Sequence, residues 1–578
     1  LAIAQPIVNI AEICSRKGVN QFILSPGSRS APLTLALVRH PQIQTRIVSD
    51  ERSAAFIALG MAQQSRQTIG LVCTSGTAVL NYAPAVTEAF YQHIPLLILT
   101  ADRPAEWIEQ LDGQTIRQRE VYGKHIKASY ELPVDYSHAD AVWYTERILN
   151  EAINLTQEYP PGPVHINVPL REPLYPAAGE EMVFDRQVKI IQPFSQEYIL
   201  TPQQWLDIRE MWEDYENKLI LAGQYHYDAE LLQVLKQIQS EMEIPVVGDI
   251  ISNLHTLPET IRHQDIFLMQ PDKEILEELR PELLITFGNS VISKNIKLYL
   301  RKYKPQVHWH IQPAGYIADP FQTLTHTIPV QPLYFFKTLF EDLDYQNFLS
   351  QEEPETASVY HASWQKQNKE AAKKMYSVFR NAPFSEFEAV SEVMDQLPEN
   401  SLLHLANSMT VRYANFVGLA SHQTVEVFAN RGTSGIDGCN GTALGAALQT
   451  DKLVTLITGD MAFLYDRNSF WHNFLPANLR IVVLNNHGGG IFRLLDGPKG
   501  QPEMEEYFET RQRLLAANAA QEYGLTYFFC TTKLDLQKHL QAFFDSTGGA
   551  KLLEVETSPE INAEVYAQFK ALIRQEQK

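Results

Sequence analysis

Two short apolar runs in the last third of the chain constrain its fold more than any other feature. Leu453-Val454-Thr455-Leu456-Ile457 runs into Thr458-Gly459-Asp460, and Ile481-Val482-Val483-Leu484 runs into Asn485-Asn486-His487-Gly488. Runs rich in β-branched residues and closed by turn formers predict buried parallel strands. On adjacent strands, the Asp460 carboxylate and the Asn486 amide would stand side by side at the carboxyl edge of a sheet, where open α/β folds bind ligands. Asp460, Asn486 and a backbone carbonyl near Gly488 are hard oxygen donors of the kind that Mg²⁺ or Ca²⁺ prefers. A Mg²⁺ held by only a few protein oxygens completes its shell with phosphates and water. Taken alone, Gly-Asp ending a strand and Asn-Asn before glycines also read as ordinary turns.

At 578 residues, the chain is too long for one core and predicts two to four domains. Three blocks emerge. The first, 1–190, alternates strand-like runs (Gln21 to Leu24, Arg46 to Val48, Leu71 to Cys73, Leu96 to Leu99, Val164 to Val168) with helical patterns (Ser53 to Gln64, Ala83 to Gln92). That alternation is the pattern of a parallel α/β domain. It closes in a proline-rich stretch, Pro160 to Pro176, read as an extended linker. The second block, 195–350, has strands at Leu219 to Ala222 and Leu283 to Phe287, and a polar, helix-prone connection follows from Gln351 to Lys374. The third, 380–578, has strands near Leu402 to Leu405, Val425 to Phe428, Val454 to Ile457, Ile481 to Leu484 and Leu552 to Val555.

Composition excludes several function classes. A hydrophobic content of 45% with 20% charged residues is that of a soluble globular protein. A net charge of −20 argues against nucleic acid or an anionic membrane as partner. No apolar stretch is long enough to span a bilayer, and no basic segment followed by an apolar one suggests a secretory leader. The sequence opens at Leu1 rather than Met, so a few preceding residues are expected. Four cysteines (Cys14, Cys73, Cys439, Cys530) without paired metal spacing predict reduced thiols and a cytoplasmic setting.

Other motifs carry chemistry. In Ser49-Asp50-Glu51-Arg52-Ser53, the acids and the serine suit the start of a helix, where carboxylates cap unpaired N–H groups. The small-residue stretch Ala54 to Ala62 would let two chains approach closely. Upstream, Leu24-Ser25-Pro26-Gly27-Ser28-Arg29-Ser30 is a strand entering a turn before a helix near Pro32, a place where Ser28, backbone amides and Arg29 would bind an anion. Arg29, Arg103, Arg412 and Arg431 each lie in or beside a Gly-, Pro- or Ser-bearing loop after an apparent strand. Singly, each reads as a solvated charge. Four converging on one cleft would suit a substrate with several carboxylates, which guanidinium groups grip in bidentate fashion. Gly432, Gly435, Gly438, Gly441 and Gly445 lead into a helix and read as close packing with turn geometry, or as backbone approach to a ligand.

The Gly459-Asp460 to Asn486 interval resembles the diphosphate-anchoring motif of thiamine diphosphate-dependent enzymes. Within that family, the chain is similar to the carboligases of menaquinone and phylloquinone biosynthesis. The resemblance rests on Ser25-Pro26-Gly27-Ser28-Arg29-Ser30, Thr74-Ser75-Gly76-Thr77-Ala78 with Asn81-Tyr82, and Thr100-Ala101-Asp102-Arg103-Pro104. It continues through Asp112-Gly113-Gln114-Thr115-Ile116, Asn407-Ser408 with Arg412, Ala429 to Gly438, and Gly489-Gly490-Ile491-Phe492.

The resemblance implies an α/β fold of three domains, each a parallel sheet flanked by helices, that bind pyrimidine, link, and bind diphosphate. It implies thiamine diphosphate with Mg²⁺ (or Mn²⁺), the metal on Asp460, Asn486 and Gly488. Glu51 is then the carboxylate on the aminopyrimidine ring nitrogen, which raises the imino tautomer that takes the thiazolium proton. Ile436 becomes the wedge that bends the cofactor, with Gly459, Ile491 and Phe492 beside it. Ser28, Arg29, Arg103, Gln114, Lys294, Ser408, Arg412 and Arg431 become ligands of 2-oxoglutarate and isochorismate. The implied reaction is decarboxylation of 2-oxoglutarate and 1,4-addition to isochorismate in a homodimer or homotetramer.

Two departures stand out: Asn295 follows Lys294 where the family carries arginine, and His487, read as a local hydrogen-bonding group, lies between Asn486 and Gly488. A sibling acting on another 2-oxo acid, such as an acetohydroxyacid synthase, and a non-catalytic member that binds nucleotides or proteins are the alternatives. Ser28-Arg29 and Arg412 weigh against the first, and intact Glu51, Asp460 and Asn486 weigh against the second.

Overall fold

The continuous apolar runs become strands of three parallel sheets in a computed structural model that describes residues 3–350, 358–380, 382–494 and 496–574. The first sheet contains β1 (Gln21–Leu24), β2 (Gln44–Ile47), β3 (Ile69–Cys73), β4 (Leu96–Asp102), β5 (Ala128–Glu131) and β6 (Val164–Pro169), in the order β2-β1-β3-β4-β6-β5. The second contains β7 (Lys218–Ala222), β8 (Val246–Gly248), β9 (Leu283–Phe287), β10 (Val307–Ile311) and β11 (His326–Ile328), in the order β11-β10-β9-β7-β8. The third contains β12 (Ser401–Leu405), β13 (Val425–Ala429), β14 (Val454–Gly459), β15 (Leu479–Asn485), β16 (Thr526–Cys530) and β17 (Lys551–Glu556), in the order β13-β12-β14-β15-β17-β16.

The outer two sheets therefore repeat one strand order. Each reverses direction beside its first strand, between β1 and β3 and between β12 and β14. Such a switch point opens a crevice at the carboxyl edge. The fold is α/β with three helix-flanked parallel sheets, as the sequence implies.

Several expectations need correction. The strand read at Arg46 to Val48 is Gln44–Ile47; Val48 lies just past its end, its amide still donating to the Leu24 carbonyl of β1, before the bend that leads to the helix Glu51–Ser65. The proline-rich stretch from Pro160 is only partly a connection. Val164–Pro169 is buried throughout and pairs with both β4 and β5, and the irregular run extends beyond it to Thr201. Of the connection read at Gln351 to Lys374, residues 351–357 lie outside the described residues, Ser358 caps a helix, and the rest falls in that helix, Val359–Val378.

The small-residue helix is also reassigned. Its face meets the helix Cys439–Ala447 of the same chain rather than a second chain. A Cβ on Gly60 would lie 1.9 Å from the Thr442 carbonyl oxygen, and one on Gly445 would lie 2.0 Å from that of Ile57. Only glycine permits backbones this close.

These helices sit in one apolar core that runs from the first sheet (Ile23, Leu71, Ile98) to the third (Leu402, Leu456, Ile481). A second core joins the central sheet (Leu219, Leu284) to the opposite face of the third (Leu403, Val482). All four cysteines are free and buried, and among the described residues no helix is long and apolar enough to cross a membrane.

Gly60→Ala should therefore force the helices Glu51–Ser65 and Cys439–Ala447 apart and cost about 1–3 kcal/mol or more in chemical denaturation. Gly500→Ala, whose added Cβ meets nothing within 4 Å, should stay within about 0.5 kcal/mol of the parent.

Candidate active site

β14 and β15 pair in parallel, with Thr458 opposite Val483 and Gly459 opposite Leu484. The residues just beyond the pair, Asp460 and Asn486, thus leave neighbouring strands at the same sheet edge. Asp460 opens the helix Asp460–Tyr465. Its Oδ1 accepts the Met461 amide at 2.8 Å and its Oδ2 accepts Gln512 Nε2 at 2.9 Å. Burial pushes its carboxyl up to about 6 against the pull of those bonds. Asn486 donates through Nδ2 to Glu386 Oε1 at 2.7 Å, while its Oδ1 is buried with no partner. Glu386 is itself buried; desolvation first, then the Asp460 charge, push its carboxyl up to about 8.

Two crowded buried carboxyls and an orphaned amide oxygen make an electrostatic deficit that a divalent cation would fill, so the residues present fit the implied metal. Among the described residues, no cluster of three His, Cys, Asp or Glu side chains could hold a metal. A site built on one carboxylate, one amide and one carbonyl is consistent with that. His487, with φ of 63°, pairs its Nε2 with Glu556 at 2.8 Å, the local role expected of it.

The Arg431–Gly438 loop follows β13. Asn407 ties it down: Nδ2 donates to the carbonyls of Asn430 and Gly435 (2.7 Å each) and Oδ1 accepts Arg431 Nη1 at 2.9 Å. Across the domain boundary, the buried Glu88 carboxylate of the helix Ala83–Gln92 accepts the amides of Gly432 (2.8 Å) and Thr433 (2.7 Å) and the Thr433 hydroxyl. Ile436 is 37% exposed, an apolar side chain presented by a held loop. Ile491 packs on the core of the third sheet, while the Phe492 ring lies 5.8 Å from that of Phe508.

The four arginines fall into two pairs. Arg29 and Arg103 follow β1 and β4 in the first sheet. Burial, then the charge of Arg103, lowers the pKa of Arg29, and Glu172, Asp112 and Asp102 oppose this. Arg29 donates to the Leu170 carbonyl at 3.1 Å, and Arg103 bonds Asp112 at 2.9 Å and the Gly113 carbonyl. Ser28 and Gln114 are exposed. In the third domain, Arg412 and Arg431 are both lowered by burial, Arg431 further by Arg412. Arg412 Nη1 donates to the carbonyl of Ser408, a strained non-glycine residue with φ of 75°. Arg431 Nε is buried without a partner. Within one chain, no hydrogen bond or ion pair among the described residues links the two pairs.

Asp50 caps the helix, accepting the Ser53 amide at 3.0 Å and Asn468 Nδ2 at 2.8 Å. Glu51 is freed from that task. It is half-buried, its carboxylate accepts no hydrogen bond among the described residues, and its charge adds to the burial that raises the Cys73 thiol and the Tyr82 phenol.

Lys294 is exposed at the start of the helix Lys294–Lys302. Asn295 is used structurally: its amide donates to Asp265 Oδ1 and its Nδ2 to the Asp265 carbonyl. A cavity of about 460 Å³ lies at the carboxyl edge of the central sheet, walled by Phe287, Lys297, His308, His310 and Arg431, and includes neither Asp460 nor Asn486.

Sequence reasoning missed Glu386, Gln512 and Glu88. Glu386 follows Ser385 at a helix start, where an acid is unremarkable. Glu88 left a readable signal, since it shares one helical face with the buried Ala85, Ala89 and Gln92. Glu88→Gln should set an amide NH₂ against two backbone donors and cost about 1–3 kcal/mol. Faster hydrogen exchange confined to the loop 430–438 is the readout.

Three family models match in chain order: "Thiamine pyrophosphate enzyme, N-terminal TPP binding domain" at residues 9–124, "Middle domain of thiamine pyrophosphate" at 188–405, and "Thiamine pyrophosphate enzyme, C-terminal TPP binding domain" at 410–555. The chain is similar to the 2-succinyl-5-enolpyruvyl-6-hydroxy-3-cyclohexene-1-carboxylate synthase of Cytophaga hutchinsonii, with 45% identity over 572 residues and 99% of each chain covered. The synthase of that name from Flavobacterium johnsoniae is 38% identical with 98% of each chain covered. That of Porphyromonas gingivalis is 36% identical over 97% of this chain and 96% of its own.

Proposed function

Since this chain belongs to the 2-succinyl-5-enolpyruvyl-6-hydroxy-3-cyclohexene-1-carboxylate synthase family of thiamine pyrophosphate enzymes, we propose that it decarboxylates 2-oxoglutarate and adds the remaining four-carbon unit to isochorismate in 1,4 fashion. It is a thiamine diphosphate-dependent enzyme that forms a carbon–carbon bond. The observation that carries the site assignment is the orphaned Asn486 Oδ1 beside the buried Asp460 and Glu386.

Thiamine diphosphate, when bound, supplies the carbon nucleophile and accepts the electron pair left by departing carbon dioxide. Asp460, Asn486 and the Gly488 carbonyl would hold the divalent ion, whose charge would offset that of the diphosphate, with Gly459 at the turn beside it. Glu51 holds a proton at the pyrimidine ring nitrogen, a task its lack of any other hydrogen-bond partner leaves it free to perform. Ile436 would press against the bound cofactor by steric contact, and Ile491 and Phe492 would wall the cleft. Arg29 and Arg103 with Ser28 and Gln114, and Arg412 and Arg431 with Ser408, bind the carboxylates of the two substrates, with Lys294 a further contact. The division 1–190, 195–350 and 380–578 would serve as pyrimidine, central and diphosphate domains, and the cytoplasm as the enzyme's setting.

The site requires a second copy. In one chain the arginine pairs stand on separate sheet edges. Apolar Ile47, Tyr465 and Trp471 are all more than half exposed; Ile47 lies four residues before Glu51, and the Tyr465 ring lies under the Arg52 guanidinium. A homodimer, or a tetramer built from it, would bring the first domain of one chain against the third of another.

Glu51→Gln should abolish turnover while leaving cofactor affinity largely intact, measured by calorimetry beside the product assay. Mixing inactive Glu51→Gln with inactive Asp460→Asn protein should restore activity if the residues meet between chains; a mixture that stays dead contradicts the shared site. Carbon dioxide release should prefer 2-oxoglutarate to pyruvate, and the reverse preference rejects the substrate assignment.

A further inference from the structure

An asparagine amide is a cation ligand through one end only. Turned over, it presents two N–H donors to the ion and repels it. Neither the strand that ends at Asn485 nor the turn after it dictates which end of Asn486 faces the ion. Three contacts bear on that choice. Asn486 Nδ2 donates to Glu386 Oε1 at 2.7 Å. Glu386 is 4% exposed, opens the helix Glu386–Asp395, and is fixed there by Asn562 Oδ1, which accepts its backbone amide at 2.9 Å. A Cβ on Gly490 would lie 2.7 Å from Asn486 Nδ2, so the glycine closes around the nitrogen end without displacing it. With Nδ2 thus occupied, the oxygen is the end left without a partner.

We propose that Glu386 is the positioning residue of the metal site: its carboxyl accepts the Asn486 NH₂ group and so commits the amide oxygen to the cation. Glu386 touches no reacting atom, and it acts through Asn486. This rests on the reading of Asn486 as a metal ligand. Outer partners that orient a ligand typically contribute 10–100-fold to metal affinity. Beside a bound divalent cation the carboxylate is the favoured form and offers acceptors alone; a glutamine at this position keeps the shape but offers either a donor or an acceptor, so both orientations of Asn486 become tolerable.

The test is Mg²⁺ affinity of the full-length protein, titrated calorimetrically in the presence of thiamine diphosphate. Glu386→Gln should weaken Mg²⁺ binding by about 10–100-fold, with the apo thermal midpoint held and turnover recovered at saturating Mg²⁺. In an Asn486→Asp background both ends of the side chain are oxygen. There the same Glu386→Gln change should cause no weakening, an inversion that a merely structural role would not produce. Should Glu386→Gln fail to fold, Glu386→Met measured in both backgrounds gives the same comparison. Equal losses in both backgrounds, or unchanged affinity in the parent background, overturn the inference alone. Unchanged Mg²⁺ binding in Asn486→Ala overturns the underlying site assignment and the inference with it.

Discussion

The structure depends on one backbone-to-backbone contact. The helices Glu51–Ser65 and Cys439–Ala447 cross so closely that carbonyl oxygens of each occupy the space where the other's side chains would begin, at Gly60 and Gly445. The apolar core that surrounds this crossing is continuous with one face of the first sheet and one face of the third. Two domains far apart in sequence are thereby fixed to one another before any polar contact is considered. Glu88 then reaches across the same boundary to hold the loop that bears Arg431 and Ile436.

That rigidity matters for the chemistry because the residues concerned are on loops. Loops carry function well only when a scaffold positions them. Here each loop leaves the carboxyl end of a strand, and each is tied by a polar side chain: the buried Asn407 and Glu88 for the loop after β13, the buried Glu386 for the Asn486 side chain after β15, and the half-buried Asp50 for the turn that precedes Glu51. The groups left unpaired by these ties, Asn486 Oδ1 and Arg431 Nε, are the ones a cation and an anionic substrate would complete. Buried polar atoms without partners are costly, and their presence at one sheet edge is a physical argument for ligands there.

Much of this was legible in the residues. Strands buried on both faces are unbroken apolar runs, so β4, β14 and β15 could be read, with the candidate polar residues just beyond their ends. Short or half-buried strands could not. Ala128–Glu131 has no fully buried residue, and Val246–Gly248 is only three residues long. Small residues between Ala54 and Ala62 announced a close approach but not which surface approached, and the partner proved to be in the same chain. Asp460 and Asn486 stood out as candidates because each directly follows a strand. Glu386 could not, because an acid at a helix start has an ordinary explanation, and its relation to Asn486 exists only once the chain has folded.

The central claim is that Asp460, Asn486 and the Gly488 carbonyl grip one divalent ion at the β14–β15 edge. Crystals grown with thiamine diphosphate and Mn²⁺, with data recorded at the manganese absorption edge, test it directly. The account requires a single strong anomalous peak bonded by the Asp460 carboxylate, Asn486 Oδ1 and that carbonyl. A peak elsewhere, or an Asn486 amide with its nitrogen toward the ion, would contradict it.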